Sequence, residues 1–227
     1  MSSASSSPFS PTTTRFTPAP LPTNPRKQEC IACIDVEVDG ISPSKSSLRQ
    51  IGLVLIEKSK FGYSYKPDVY TVFKRRWNIK PQKGKEEVPA TMEWFRTKAP
   101  LVLEEIQTKG EDIEIVIKDF ATVWGYLNSQ YFITNIVASP ACVDFMWIRV
   151  LYSQFADPGS YDIPYKWVCL SSQMELVSDL TGYSTSQLLN MFNPLKLRHS
   201  HFADEDALVQ AVIFLNMKDY VRSIACK

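Results

Sequence analysis

Ile31-Ala32-Cys33-Ile34-Asp35-Val36-Glu37-Val38 is an apolar, largely β-branched run broken only by two acids. A short run of this kind reads as a core strand. Strand side chains alternate between faces, so Asp35 and Glu37 point the same way, alongside Ile31 and Cys33. Two like charges on one buried face are costly unless a cation lies between them. A divalent metal ion held by carboxylate oxygens is the natural compensator. The D-x-E strand therefore points to metal-dependent chemistry rather than to a passive domain.

Working outward, the chain of 227 residues suffices for one sizeable domain, and its 44% hydrophobic and 22% charged content is that of an ordinary globular protein. Residues 1–28 hold six of the fifteen prolines, many serines and threonines, and few large apolar residues. This composition predicts a disordered tail. Arg15, Arg26 and Lys27, with no acid, give the tail +3; the total is +1, so the domain over 29–227 carries −2. A net charge of +1 gives no ground for bulk electrostatic attraction to nucleic acid, and a mildly acidic domain is compatible with a carboxylate-built site without requiring one. The tail's Ser-rich, acid-free composition also fits an organelle-targeting segment, although its prolines disfavour the amphipathic helix such segments form. Five cysteines, an odd number, without a secretory signal ahead of them read as reduced thiols in a cytoplasmic setting. Cys30 and Cys33 have C-x-x-C spacing, but on a strand they face opposite ways. No apolar run approaches the ~18–20 residues that span a bilayer, so no membrane association is expected.

The periodicity predicts strands over 30–38, 49–57 and 69–77, joined by short turns as an antiparallel meander. A polar loop over 78–88 carries Lys80, Lys83 and Lys85. Helices are expected over 90–97, 101–109 and 113–129, a buried strand over 133–138, and a helix over 144–155. A short strand at 168–170, a helix over 173–180 and a last helix over 204–222 follow. That last helix carries Leu208, Ala211, Val212 and Leu215 on one stripe. Strands first, then helices mixed with strands, give an α/β fold: a mixed β-sheet flanked by helices.

Three segments carry the chemistry. The first is Asp35-Val36-Glu37. The second is Val137-Ala138-Ser139-Pro140-Ala141-Cys142-Val143-Asp144-Phe145, where a strand ends in a small-residue turn and Asp144 opens a helix. The third is His201-Phe202-Ala203-Asp204-Glu205-Asp206-Ala207, at the start of the last helix. Together they resemble the DEDD 3′→5′ exonucleases of the RNase H-like superfamily. Asp35 and Glu37 match the first motif, Asp144 the second and Asp206 the third. The His-x-Ala-x-x-Asp-Ala pattern is similar to that of the histidine subclass, DEDDh; the tyrosine subclass has Tyr where this chain has Phe202. The resemblance spans most of residues 29–222 and is nearest to phage exonuclease A and the mycobacterial exoribonuclease-like group. Those proteins carry an element similar to the segment running from Thr91-Met92-Glu93-Trp94-Phe95 to Pro100. Two departures are visible: Val143 stands where an aromatic is common, and Val38-Asp39 replaces the small or Thr residues frequent after the first motif.

The resemblance implies an RNase H-like fold and a metal-dependent 3′→5′ exonuclease acting on RNA or single-stranded DNA 3′ ends, with a lean to RNA. It implies two Mg²⁺ or Mn²⁺ ions held by Asp35, Glu37, Asp144 and Asp206, and it allows a homodimer. The residue types suit the chemistry. Phosphodiester hydrolysis needs an activated water and a stabilised leaving oxygen, and a pair of metal ions supplies both. A general base is also needed, and histidine's ordinary pKa lies near neutrality. His201 is the candidate; His199 competes. Val36, Val38 and Trp94 are the candidate substrate contacts, Trp94 by stacking on a base. Lys74-Arg75-Arg76 reads equally as a phosphate track or a solvated strand edge. Each acid has an ordinary reading too: Asp144, Asp204, Glu205 and Asp206 all suit first turns of helices. The alternative for the whole is a non-catalytic nucleic-acid-binding or scaffolding module on the same fold.

Overall fold

The computed structural model describes residues 27–58 and 71–225. The expected tail over 1–28 falls almost wholly outside the described residues, as does the start of the strand expected over 69–77. Five strands form one sheet: β1 (Glu29–Val38), β2 (Leu48–Glu57), β3 (Thr71–Asn78), β4 (Phe132–Ala138) and β5 (Val168–Cys169). Their order is β3-β2-β1-β4-β5. β1 and β2, and β2 and β3, pair antiparallel, which is the expected meander; β4 pairs parallel to β1, and β5 parallel to β4. The sheet is mixed and β1 is its central strand.

Seven helices surround it among the described residues: α1 (Pro89–Lys98), α2 (Pro100–Lys109), α3 (Ile113–Gln130), α4 (Ala141–Phe155), α5 (Leu170–Thr181), α6 (Thr185–Phe192) and α7 (Ala203–Ala225). α4 begins three residues earlier than expected, so Asp144 closes its first turn instead of opening it. α5 likewise starts at Leu170, directly from β5. α6 was not expected. Its signal is a capping box: the Ser184 hydroxyl accepts from the Gln187 N–H, and the Gln187 side chain accepts from the Ser184 N–H.

Alternation along β1 splits the core in two. Cys30, Ala32 and Ile34 join Trp124, Phe120 and Trp147 of α3 and α4 on one face. Ile31 and Cys33 join Met174, Phe192 and the buried side of α7 on the other. The two thiols thus lie on opposite faces.

The approach of α7 to the sheet is set by Gly52, which pairs with Asp35. A Cβ at Gly52 would lie 2.1 Å from the carbonyl carbon and oxygen of Ala203. No side chain fits there, and Ala203, Ala207 and Ala211, spaced four apart on α7, are fully buried. β2 and β3 fix the end of the helix. The Ala203 N–H donates to Gln50 Oε1 (3.2 Å), and Asp204 is ion-paired with Lys74 (3.1 Å) and Arg76 (2.9 Å). Asp204 is therefore a structural acid. Gly52→Ala would force α7 off the sheet, costing about 1–3 kcal/mol. A urea-unfolding midpoint equal to that of the parent protein would overturn this account of the packing.

Candidate active site

Asp35 and Glu37 stand at the C-terminal end of the central strand, on the α7 face. The parallel neighbour β4 ends at Ala138, and after the Ser139-Pro140 turn α4 begins. Asp144, buried in that first turn, accepts a hydrogen bond from the Val36 N–H through Oδ1 (3.0 Å). This bond holds the second acidic segment against the first, across more than a hundred residues of sequence.

The last segment arrives with α7. Asp206 is buried in the first turn; its Oδ1 accepts from the Ser200 N–H (2.9 Å), and its Oδ2 lies 3.3 Å from His199 Nδ1 and 4.0 Å from His201 Nδ1. One turn on, Gln210 Nε2 donates to Asp35 Oδ1 (2.7 Å), and the Cys33 thiol lies 3.8 Å from Gln210 Oε1. Sequence reasoning missed Gln210. Its signal is a polar residue four positions after Asp206, hence on the same helix face, amid an otherwise apolar stripe.

Both histidines reach Asp206, but differently. His201 adopts a left-handed backbone conformation (φ 62°) and its ring meets Trp94 edge-on, centroids 4.6 Å apart. It also faces Glu37: ligand atoms of Glu37, His201 and Asp206 all lie within 4.8 Å of one another. His199 is more exposed, and its hydrogen bond to Asp206 raises its pKa.

The electrostatics are those of crowded acids. Burial, then the charges of Asp144, Glu37 and Asp206, push the Asp35 carboxyl well above its usual range. Burial and the neighbouring Asp206 and Asp144 raise Glu37 to about 8. Burial raises Asp144 to about 7 against the opposing Val36 hydrogen bond. Among the described residues no lysine or arginine pairs with these three, and the Glu37 side chain makes no hydrogen bond or ion pair. A convergent set of carboxylate oxygens and an imidazole, lacking a cationic side chain, fits a hard divalent cation.

The other expected site residues are placed as follows. Val36 and Val38 turn their side chains to the opposite face, against the α3 core, and offer the site only backbone. Trp94 is half-buried and packs edge-on against His201 and Phe95. The basic run of β3 is taken up within the chain. Lys74 pairs with Asp204, Arg75 with Asp119, and Arg76 with Glu105 and Asp204 while lying over the Phe202 ring. Asp39, just after β1, is fully buried and pairs with Arg49 (3.0 Å).

The raised carboxyls set a pH dependence. Such groups stabilise the metal-free fold fully below about pH 4, the ordinary carboxylate range. That stability is lost as pH rises through about 7 for Asp144 and about 8 for Glu37. In EDTA, the thermal midpoint should fall between pH 5 and pH 8 by the equivalent of about 1 kcal/mol or more, roughly 2–4 °C. Mg²⁺ or Mn²⁺ should restore it, more at pH 8 than at pH 5. Glu37→Gln should raise the metal-free midpoint at pH 8 and blunt the response to metal. A pH-independent midpoint without metal would contradict the charge crowding.

No protein-family model and no curated protein sequence matches the chain. Solved structures do. The nuclease domain of 3'hExo, a DEDDh family member bound to rAMP, aligns over 85% of this chain and 93% of its own, with 13% identity and a TM-score of 0.55. S. pombe Pop2p in its Mg²⁺- and Mn²⁺-bound form aligns over 85% and 83%, with 14% identity and a TM-score of 0.51. The zinc-bound form of the E. coli ExoI–ssDNA complex aligns over 87% of this chain but 41% of its own, with 16% identity and a TM-score of 0.57. Carboxylates from β1, α4 and α7 converge on one end of a mixed five-stranded sheet, and the chain has the RNase H-like fold of the DEDDh 3′→5′ exonucleases.

Proposed function

We propose that the protein is a metal-dependent 3′→5′ exonuclease that hydrolyses RNA or single-stranded DNA to nucleoside monophosphates, with RNA the favoured substrate. The observation that carries this reading is the convergence of Asp35, Glu37, Asp144 and Asp206 with His201 at one sheet end, in the order and on the elements that the sequence motifs imply. A passive module has no use for like charges held together against their own repulsion.

In this reading Asp35, Glu37, Asp144 and Asp206 hold two Mg²⁺ or Mn²⁺ ions. When bound, a metal pair supplies an activated water and stabilises the leaving oxygen. The chain's own groups do the rest. Gln210 fixes the Asp35 carboxylate, and the Val36 N–H fixes Asp144. His201 is the general base. Its Nδ1 lies 4.0 Å from Asp206 Oδ2, which places the imidazole beside the acids where it can take the proton of the attacking water. Trp94 holds the His201 ring edge-on, and the left-handed turn at His201 brings the imidazole beside Glu37. His199 and the Ser200 N–H orient Asp206.

The test uses a 5′-labelled RNA with a 3′ overhang and its DNA counterpart, incubated with Mg²⁺, Mn²⁺ or EDTA. A ladder shortening from the 3′ end and abolished by EDTA is expected, faster on RNA. Asp144→Asn should lose cleavage and keep binding, whereas binding by the parent protein without any cleavage would favour a non-catalytic module. His201→Ala should lower kcat about 10²–10⁴-fold. An unchanged kcat in that variant, with a large loss in His199→Ala, would transfer the base to His199.

A further inference from the structure

A cavity of about 340 Å³ opens beside the carboxylates, between α5, α6 and α7. Two residues connect it to the site already described: Gln210, which holds Asp35, and His199, which holds Asp206. Its wall is apolar, built from Leu170, Met174, Leu189 and Ile213. Its volume lies within the ~300–1,000 Å³ typical of small-ligand sites.

The polar groups of the rim narrow the choice of occupant. Ser139 lies in the turn before α4, and Thr185 opens α6. Glu175 of α5 also lines the cavity, is exposed, and makes no hydrogen bond or ion pair among the described residues. The lining residues include no lysine or arginine. A phosphate would meet the Glu175 carboxylate with no lysine or arginine beside it, so the cavity suits the strand's backbone poorly. A flat, weakly hydrated ring with N–H donors at its edge suits it well. Leucine, isoleucine and polarisable methionine side chains pack against its faces, and the carboxylate accepts from its edge.

We propose that this cavity takes one unstacked base of the bound strand, next to the phosphodiester held over the carboxylates, and prefers a base with an exocyclic amino group. The proposal rests on the strand-binding part of the function proposed above. The amino N–H donates to Glu175, whereas uracil presents carbonyl oxygens on the edge where adenine or cytosine carries its amino group. The cavity is thus a source of sequence preference beside the acids rather than among them.

The test measures equilibrium binding of 5′-fluorescent RNA to Asp144→Asn protein, which leaves the strand uncut. A single abasic nucleotide is moved one position at a time from the 3′ end. One position should weaken binding roughly tenfold, the scale of one lost base contact. Leu189→Trp, at a partly exposed position, fills the cavity. It should weaken the intact strand by the same factor and leave the strand abasic at that position unaffected. Glu175→Gln should erase the preference for adenine or cytosine over uracil there. Equal effects at all positions, or additive losses in the Leu189→Trp cycle, would overturn the proposal, as would the absence of any strand binding. Cleavage of the labelled strand by the parent protein with Mg²⁺ reports on the nuclease reading separately. If nothing is cut but the abasic signature is present, the cavity assignment stands and the catalytic assignment falls.

Discussion

The site depends on how closely the first turn of α7 can approach β2. Gly52 has no side chain, and the backbone at Ala203 and Asp204 occupies the space where one would be. Gly52 is also the cross-strand partner of Asp35, so this close approach of helix to sheet lies beside the first acidic motif. Gln50 caps the helix, and Lys74 and Arg76 anchor Asp204. These contacts fix both the axial position and the rotation of α7. With the helix so held, Asp206 and Gln210 can face β1 from successive turns. A larger residue at position 52 would displace two acidic motifs relative to each other at once.

What this packing brings together is electrostatically unfavourable without metal. Asp35, Glu37 and Asp144 all have raised pKa values, first because they are withdrawn from water; the charges of Asp144, Glu37 and Asp206 then add to the rise at Asp35, and those of Asp206 and Asp144 to the rise at Glu37. Two features offset part of this. Asp144 and Asp206 each lie in the first turn of a helix, where the backbone N–H groups favour negative charge. The Val36 and Ser200 N–H groups and the Gln210 amide donate directly to carboxylate oxygens. None of these carries a full positive charge. The fold therefore holds a site whose charge is balanced from outside, a common form of stability given up for function.

Much of this was legible in the sequence because the information is local. Alternation along Ile31–Val38 sorted its side chains correctly onto two faces, and the antiparallel meander of β1, β2 and β3 followed from short turns. The helix bounds shifted by a few residues, most consequentially at α4, where Asp144 is held by a long-range bond to Val36. The features that sequence reasoning missed are tertiary. Nothing local in QIGLVLIE says that Gly52 receives a helix, or that Gln210 turns to Asp35 instead of to solvent. α6 is the exception, since the Ser184–Gln187 capping box was readable. Val36 and Val38 show the limit of reasoning by adjacency: they neighbour the acids in sequence, but the pleat sends their side chains into the other core.

The β3 basic run has a further consequence for how a strand would be held. Lys74, Arg75 and Arg76 all face acids of their own chain. Three cations that could have neutralised successive phosphates instead fasten the sheet to α2, α3 and α7. Those three side chains are then not free to track phosphates. Under the proposed function, contacts to the strand's phosphates would have to come from groups other than this run.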